Sequence, residues 1–186
     1  MFENVKADFG RITSAEGEQR GKARVLISAL LSQGFQATLV YRFARWCVCK
    51  HIPVQPLRFV LERFIEITTG ISIPAEAKID KGLRIHHFGG IIIHSAVTIG
   101  KNCTLHQGVT IGDRGNPLKA PRIGDNVFIG AGAKILGDII IGDNCQVGAN
   151  AVVIKSVPDN CVVVGVPAKI VDKPLVKLER ISERLL

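Results

Sequence analysis

Aliphatic residues recur at six-residue spacing through the central part of the chain. The series begins at Ile73, is interrupted twice and ends at Val153. Its members are Ile73, Ile79, Ile85, Ile93, Ile99, Leu105, Ile111, Ile123, Ile129, Ile135, Ile141, Val147 and Val153. An α-helix repeats about every 3.6 residues and a strand about every two, so neither explains this period. A hexapeptide period is typical of a parallel β-helix, in which each short strand forms one side of a three-sided coil.

Within each hexad the second residue is often glycine, and the fifth is small or branched. The fifth residues of the last block are Val127, Ala133, Ile139, Cys145, Ala151 and Val157. We expect the first and fifth side chains to point inward, and glycine, asparagine and aspartate to form the corners. Cys103 and Cys145 then serve as small buried hydrophobic residues. The general rule for parallel crossovers favours right-handed coiling.

Two departures from the period indicate where the coil is irregular. The spacing from Ile85 to Ile93 is eight, which places the sequence HHFGG in a bulged corner. The spacing from Ile111 to Ile123 is twelve, so the register is kept, but the intervening GDRGNPLKAPR contains two prolines and no inward aliphatic residue. We expect residues 112–122 to form an extruded loop, and such loops often carry function.

The sequence divides into three segments. Residues 1–69 have apolar residues at helical spacing in ARVLISALL, GFQATLVYRFARW and LRFVLERFIEI, which predicts about three helices that cap the first coil. Residues 70–167 form the predicted β-helix domain. Residues 168–186 form a predicted C-terminal helical tail, whose amphipathic helix starts at Pro174.

Composition favours a cytoplasmic globular protein. The net charge is +8, but the basic residues are dispersed, so we predict no nucleic-acid partner. An anionic small ligand or peripheral contact with an acidic membrane surface explains the charge equally well. Five cysteines without a CxxC pair indicate a reducing compartment and no disulfide framework. The longest uncharged run, Val25 to Tyr41, is too short and polar for a membrane span.

The histidines are the first candidates for chemistry, since a core filled with aliphatic residues leaves room for a site only outside the coil or between subunits. His86 and His87 lie together in the bulged corner beside two glycines. A histidine is suited to removing a proton from a hydroxyl, although a polar surface loop would also explain the pair. We expect His94 and His106, at second positions of hexads, to be exposed or interfacial. No carboxylate or thiol lies close to the histidines in sequence to complete a zinc site, so we predict no metal.

Four segments resemble the C-terminal half of the hexapeptide acyltransferases, most closely the serine acetyltransferase family: GAGAKILGDI, GDNCQVGANAVV, SVPDN and GVPAKIV. The resemblance runs from about Gly34 to Val171, with a shortened N-terminal helical domain. It implies a left-handed parallel β-helix, against the general handedness rule, and a homotrimer with active sites between subunits. The segments IHH and GVTIGDRG resemble the colanic acid branch, which acetylates exopolysaccharide sugars.

The resemblance assigns the catalytic base to His87. This residue would take the proton of an acceptor hydroxyl while that oxygen attacks the thioester of acetyl-CoA, with no covalent enzyme intermediate. The aspartate that orients the base in the family corresponds to Ser72, which could accept the imidazole N–H more weakly. Glu76 is a nearby alternative.

The resemblance also implies a groove for acetyl-CoA between neighbouring subunits. Backbone contacts are expected at Gly112, Asp113, Ala131 and Ala149. Charge alone suggests further candidates for its phosphates: Lys134, Lys155 and Lys169.

Two departures from the family pattern concern the acceptor. His86 occupies the place of an aspartate that holds the ammonium of serine, and a protonated imidazole would repel that cation. Lys119 and Ala120 occupy the places of an Arg-His pair that grips the carboxylate, so we count Lys119 with His86 as substrate-binding candidates. We therefore predict an acetyl-CoA-dependent O-acetyltransferase acting on a saccharide in exopolysaccharide or capsule synthesis. The alternatives are a serine O-acetyltransferase and, from another class, a non-catalytic solenoid scaffold.

Overall fold

The computed structural model describes residues 1–16 and 22–171. Helices in these residues precede a long series of short strands. The helices are α1 (Phe2–Glu16), α2 (Lys22–Leu31), α3 (Gln33–Cys49) and α4 (Gln55–Thr69). The strands are β1 (Ile71–Ser72), β2 (Lys78–Ile79), β3 (Arg84–Ile85), β4 (Ile91–Ile93), β5 (Thr98–Ile99), β6 (Thr104–Leu105), β7 (Thr110–Gly112), β8 (Arg122–Ile123), β9 (Phe128–Ile129), β10 (Lys134–Leu136), β11 (Ile140–Ile141), β12 (Gln146–Val147), β13 (Val152–Val153), β14 (Val162–Val164) and β15 (Lys169–Val171).

The strands form the three sides of a parallel β-helix. One sheet has the order β1-β4-β7-β10-β13, the second β2-β5-β8-β11, and the third β3-β6-β9-β12-β14, with β15 at its end. Every neighbouring pair is parallel except β14 with β15. The predicted β-helix class is therefore confirmed, and the left-handed sense stays an implication of the resemblance.

The register between coils shows how the two interruptions are absorbed. A regular coil has eighteen residues, as between Ile123 and Ile141. The coil with the bulged corner has twenty, from Ile79 to Ile99. The next has twenty-four, from Ile99 to Ile123, because residues 113–121 lie outside the strands. In each coil an inward aliphatic residue still stacks on an inward aliphatic residue.

All members of the six-residue series are buried, with at most 9% of each exposed. The fifth-position residues named above are buried as well. Burial raises the pKa of the Cys103 thiol to about 12, which keeps this cysteine protonated and apolar in character. The interior is thus a continuous aliphatic column with no room for a substrate.

One corner of the β-helix is built by asparagine. Its residues have a left-handed backbone with φ of 56° to 58°, which asparagine tolerates better than most residues. Their side-chain amides hydrogen-bond from coil to coil at 3.1 to 3.2 Å. The ladder consists of Asn102, Asn126, Asn144 and Asn160. These bonds add a polar seam to the apolar interior.

The helices close the first coil through a buried ion pair. Asp8 of α1 and Arg42 of α3 are almost fully buried, with Nε and Oδ2 separated by 2.8 Å. The other oxygen of Asp8 accepts hydrogen bonds from the amides of Gly82 and Leu83, just before β3. Arg42 also donates to the Ile79 carbonyl. The pair therefore joins two helices to the coil that carries the histidines.

Two parts of the chain differ from the sequence-based division. Helix α1 was not predicted, because the apolar residues of FENVKADFGRITSAE are sparse and its key contact is a carboxylate. Residues 169–171, assigned to the helical tail, form β15 instead and pair antiparallel with β14. The predicted helix from Pro174 lies outside the described residues. None of the described helices is long and apolar enough to cross a bilayer.

We predict that Asp8→Ala destabilises the protein by about 3–5 kcal/mol, because it leaves a buried guanidinium without its partner. Denaturant unfolding at one protein concentration measures the change. The control is Arg63→Met, which removes the exposed Arg63–Glu66 pair and should cost less than about 0.5 kcal/mol. Equal effects of the two substitutions would contradict the role assigned to Asp8.

Candidate active site

The bulged corner between β3 and β4 presents His87 to solvent. Its backbone has φ 63°, an uncommon conformation for a histidine, and its side chain is exposed. Gly89 and Gly90 follow with φ of 95° and 68°. The Gly89 amide donates to the Thr69 carbonyl at the end of α4, and the Gly108 amide of the next coil donates to the Gly89 carbonyl. The corner is thus anchored on both sides while its histidine projects outward.

Three imidazoles gather at this corner. The rings of His86 and His106 are stacked, with centroids 4.7 Å apart and planes within 8°. The ring of His87 lies 6.2 Å from each of them. Phe128 packs edge-on against His106 at 5.0 Å. The described residues nevertheless contain no His, Cys, Asp or Glu group arranged to hold a metal ion.

His106 was missed as a site residue by sequence reasoning. It was expected to be exposed or interfacial, yet it is half-buried against His86. The signal lies in the coil length: Ile85 pairs with Leu105, so the residues that follow them share one column. The two extra residues of the bulge make the first coil twenty residues long, and this length predicts that His106 lies beside His86.

The stacked histidines are kept neutral by their surroundings. Burial, and to a smaller extent positive charge on Arg84, His106, His87 and Arg11, lower the pKa of His86 to about 4. Burial also lowers the pKa of His106, with His87 and Arg84 adding to the effect. Near pH 7 both rings therefore carry one N–H donor and one lone pair.

Ser72 lies on β1, half-buried at the edge of a cavity of about 150 Å³ between α3, α4 and the first coil. Glu62 lines the same cavity, and burial raises the pKa of its carboxyl. Among the described residues, Ser72 makes no hydrogen bond to His87. Glu76, the alternative orienting residue, pairs with Arg58 at 3.3 Å.

The loop between β7 and β8 places its two candidate positions differently. Lys119 is exposed, with its ammonium 3.8 Å from the Asp138 carboxylate. Ala120 is buried with the core residues. Asp113, at the start of the loop, accepts a hydrogen bond from the Gly115 amide at 2.9 Å, which stabilises the turn.

The coenzyme candidates fall on one corner column and two exposed sites. Ala131 and Ala149 occupy equivalent corners of successive coils, linked by a hydrogen bond from the Asn150 amide to the Ala131 carbonyl. Gly112 ends β7. Lys155 and Lys169 are exposed.

Lys134, by contrast, is used within the coil. Its ammonium donates to the Gly108 carbonyl at 2.6 Å and to the Thr110 hydroxyl at 3.0 Å. The structure thus unites His86 and His87 with His106, and the contacts described above join none of Ser72, Lys119 and the coenzyme candidates to this cluster.

Family profiles match the repeat region of this chain, and a known protein aligns with nearly all of it. The profile described as "Bacterial transferase hexapeptide (six repeats)" matches residues 120–155. A second, "Hexapeptide repeat of succinyl-transferase", matches residues 90–114. The serine acetyltransferase of Synechococcus elongatus is 35% identical over 181 residues, which cover 96% of this chain and 72% of that protein. Other curated matches span only about half of their relatives' length.

Solved structures show the same relationship. The Neisseria gonorrhoeae serine acetyltransferase in complex with serine has a TM-score of 0.80 and 32% identity, covering 90% of this chain and 68% of that chain. The Brucella abortus serine acetyltransferase in complex with coenzyme A has a TM-score of 0.82 and 28% identity, covering 93% of this chain and 68% of that chain.

These matches correct the acceptor prediction. A saccharide O-acetyltransferase of the colanic acid type is wrong, because the relatives that align over most of this chain are serine acetyltransferases. The repeat period, the three parallel sheets and the match over 96% of this chain agree on one assignment. The chain is a hexapeptide-repeat acyltransferase that belongs to the serine acetyltransferase family.

Proposed function

We propose that this chain transfers the acetyl group of acetyl-CoA to the hydroxyl oxygen of L-serine, producing O-acetylserine and free coenzyme A. The observation that carries the proposal is the exposed His87, held on a glycine-flanked bulge beside the neutral His86–His106 stack. The relatives bound to serine and to coenzyme A support the choice of both substrates. The five free cysteines suit a cytoplasmic location, where thiols stay reduced.

His87 acts as general base and then as general acid. Its imidazole removes the proton of the serine hydroxyl as the oxygen attacks the thioester carbonyl. Collapse of the tetrahedral intermediate breaks the carbon–sulfur bond, and the departing thiolate takes the proton from the imidazolium. Two substrates and one proton carrier suffice, so the enzyme forms no covalent intermediate. The exposure of His87 supports this role because a substrate hydroxyl can reach its imidazole.

The environment of His86 removes the objection to a serine acceptor. Repulsion of the ammonium requires a protonated imidazole, whereas burial lowers the pKa of His86 to about 4. The neutral ring can accept a hydrogen bond from the ammonium through its lone pair. The saccharide prediction was wrong at this point because it judged the residue type without its surroundings.

Two cationic side chains are candidates for holding the carboxylate of the acceptor. Arg84 is close enough to the stacked imidazoles to lower the pKa of both, so its guanidinium also favours a carboxylate there. Lys119 supplies a second cation on the loop, 3.8 Å from Asp138. We assign the serine carboxylate to Arg84, with Lys119 as the candidate on the loop, in place of the family's Arg-His pair.

The corner column supplies amides for the coenzyme. Within the described residues, the amides of Ala131 and Ala149 donate no hydrogen bond to the protein. Backbone donors without a partner in the chain suit the amide and phosphate groups of coenzyme A. Lys155 and Lys169 remain candidates for the phosphates, while Lys134 holds the corner itself together through Gly108.

We propose a homotrimer whose neighbouring subunits complete the site. Large apolar residues of the histidine corner, of β4 and of the loop between β7 and β8 are exposed in the single chain: Phe88 by 61%, Ile92 by 55% and Leu118 by 88%. Exposure of large apolar side chains is typical of surfaces that another subunit covers.

Light scattering coupled to size-exclusion chromatography tests the assembly. We expect a mass three times that of the chain, and Ile92→Lys should lower it because it places a charge in the apolar contact. The control is Lys78→Glu, which changes an exposed charged residue of β2 and should leave the mass unchanged. A wild-type monomer with full activity would contradict the trimer.

The acceptor is tested by measuring thiol release from acetyl-CoA. We expect L-serine to be the best acceptor of a series that includes ethanolamine, which lacks the carboxylate, and 3-hydroxypropionate, which lacks the ammonium. Each missing charge should lower kcat/KM at least about tenfold, because binding groups in the site lose their partner. Transfer to another hydroxyl compound with none to serine would refute the proposed function.

We predict that His87→Asn lowers kcat by about 10²–10⁴-fold, the range expected for loss of a general base. Asparagine tolerates the positive φ at this position, so the corner should keep its shape. The matched control is His51→Asn, an exposed histidine with φ 53° between α3 and α4, which should leave kcat unchanged. Steady-state kinetics at saturating substrates measure both, and a variant at position 87 with near wild-type kcat would exclude the assigned role.

A further inference from the structure

We propose that His106 is a specificity-determining positioning residue, which through its stack on His86 maintains that imidazole as a hydrogen-bond acceptor for the ammonium of the acceptor substrate. The inference rests on the proposed function, since the ammonium is that of serine. It assigns a role to a residue that is neither the base His87 nor part of the loop between β7 and β8. His106 lies on the coil next to that of His86.

The backbone holds the two rings in contact. The His86 amide donates to the Leu105 carbonyl at 2.8 Å, and the His106 amide donates to the Ile129 carbonyl at 3.1 Å. Successive coils are therefore in register at this column, and the two side chains leave the sheet side by side. The near-parallel stack at 4.7 Å covers one face of His86. Phe128 packs edge-on against His106, with the two ring centroids 5.0 Å apart, so His106 is itself held in place.

The charged and titratable groups around His86 all oppose its protonation. Arg84 precedes it on β3, and Arg11 approaches from α1. His106 faces it from the position after β6, and His87 follows it in the corner. The contact from β9 is Phe128, which packs on His106 and carries no charge. Arg11 is fixed by its hydrogen bonds to the Gly82 carbonyl and the Thr104 hydroxyl.

His106 contributes both burial and potential charge to this environment. The burial effect needs only a flat ring against His86, whereas the charge effect needs an imidazole. Burial is the larger cause of the lowered pKa of His86. An aromatic substitute should therefore preserve the lone pair of His86, and a small aliphatic one should not.

The experiment compares His106→Ala with His106→Phe, both of which remove the imidazole and its charge next to His87. In the alanine variant His86 gains solvent, and its pKa should rise toward the usual value of about 6.5. A histidine with that pKa is about 90% protonated at pH 5.5 and almost fully neutral at pH 8. We expect kcat/KM for L-serine in the alanine variant, relative to the phenylalanine variant, to fall about tenfold between pH 8 and pH 5.5.

Two further measurements separate recognition of the acceptor from general damage. The KM for acetyl-CoA should be the same in both variants at both pH values. Titration of the ring resonances by nuclear magnetic resonance should show a His86 pKa below 5 in the wild type and in His106→Phe. The same titration should show a higher value in His106→Ala, and it needs no catalytic activity.

Each outcome bears on a different statement. Coincident pH profiles of the two variants, with L-serine acetylated by the wild type, would overturn this inference and leave the proposed function standing. A wild-type His86 pKa above 6 would overturn it as well. Absence of serine acetylation by the wild type would overturn the proposed function and the inference together.

Discussion

The parallel register between coils determines where each side chain of the β-helix lies. An inward residue must stack on an inward residue, because a shift by one position would place aliphatic side chains in water and polar ones in the core. Extra residues can therefore enter only at corners. This chain uses two such places, the two-residue bulge at His87 and the loop between β7 and β8. The bulge carries His87 and the loop carries Lys119, so both candidate residues stand where the regular core admits extra residues.

The helical cap extends this constraint to the catalytic corner. Asp8 accepts hydrogen bonds from two amides immediately before β3, and Arg42 secures Asp8 from the opposite side. Arg11, one turn further along α1, contacts the backbone of the same coil and adds positive charge near His86. The cap thus closes the end of the core and also shapes the electrostatics of the histidine cluster.

Sequence periodicity was sufficient for the β-helix, its core and the irregular corner, since each depends on aliphatic spacing alone. It was insufficient for α1, whose main contact is the buried carboxylate of Asp8. It also could not show that His106 stacks on His86, which requires the coil length. The acceptor was mispredicted because the protonation of His86 depends on burial and on neighbouring cations that are distant in sequence.

The last coil explains why this solenoid does not continue as a fibre. A β-helix ends in strand edges with unpaired amides and carbonyls, which are templates for further strands from other molecules. Here β15 folds back antiparallel along β14, and Val152 of β13 exchanges hydrogen bonds with Gly165 and Ala168. The direction of β15 breaks the parallel repeat, so another coil cannot be added in register at that edge. Helices pack on the opposite end, so within the described residues both ends of the parallel stack are closed to strands added in register.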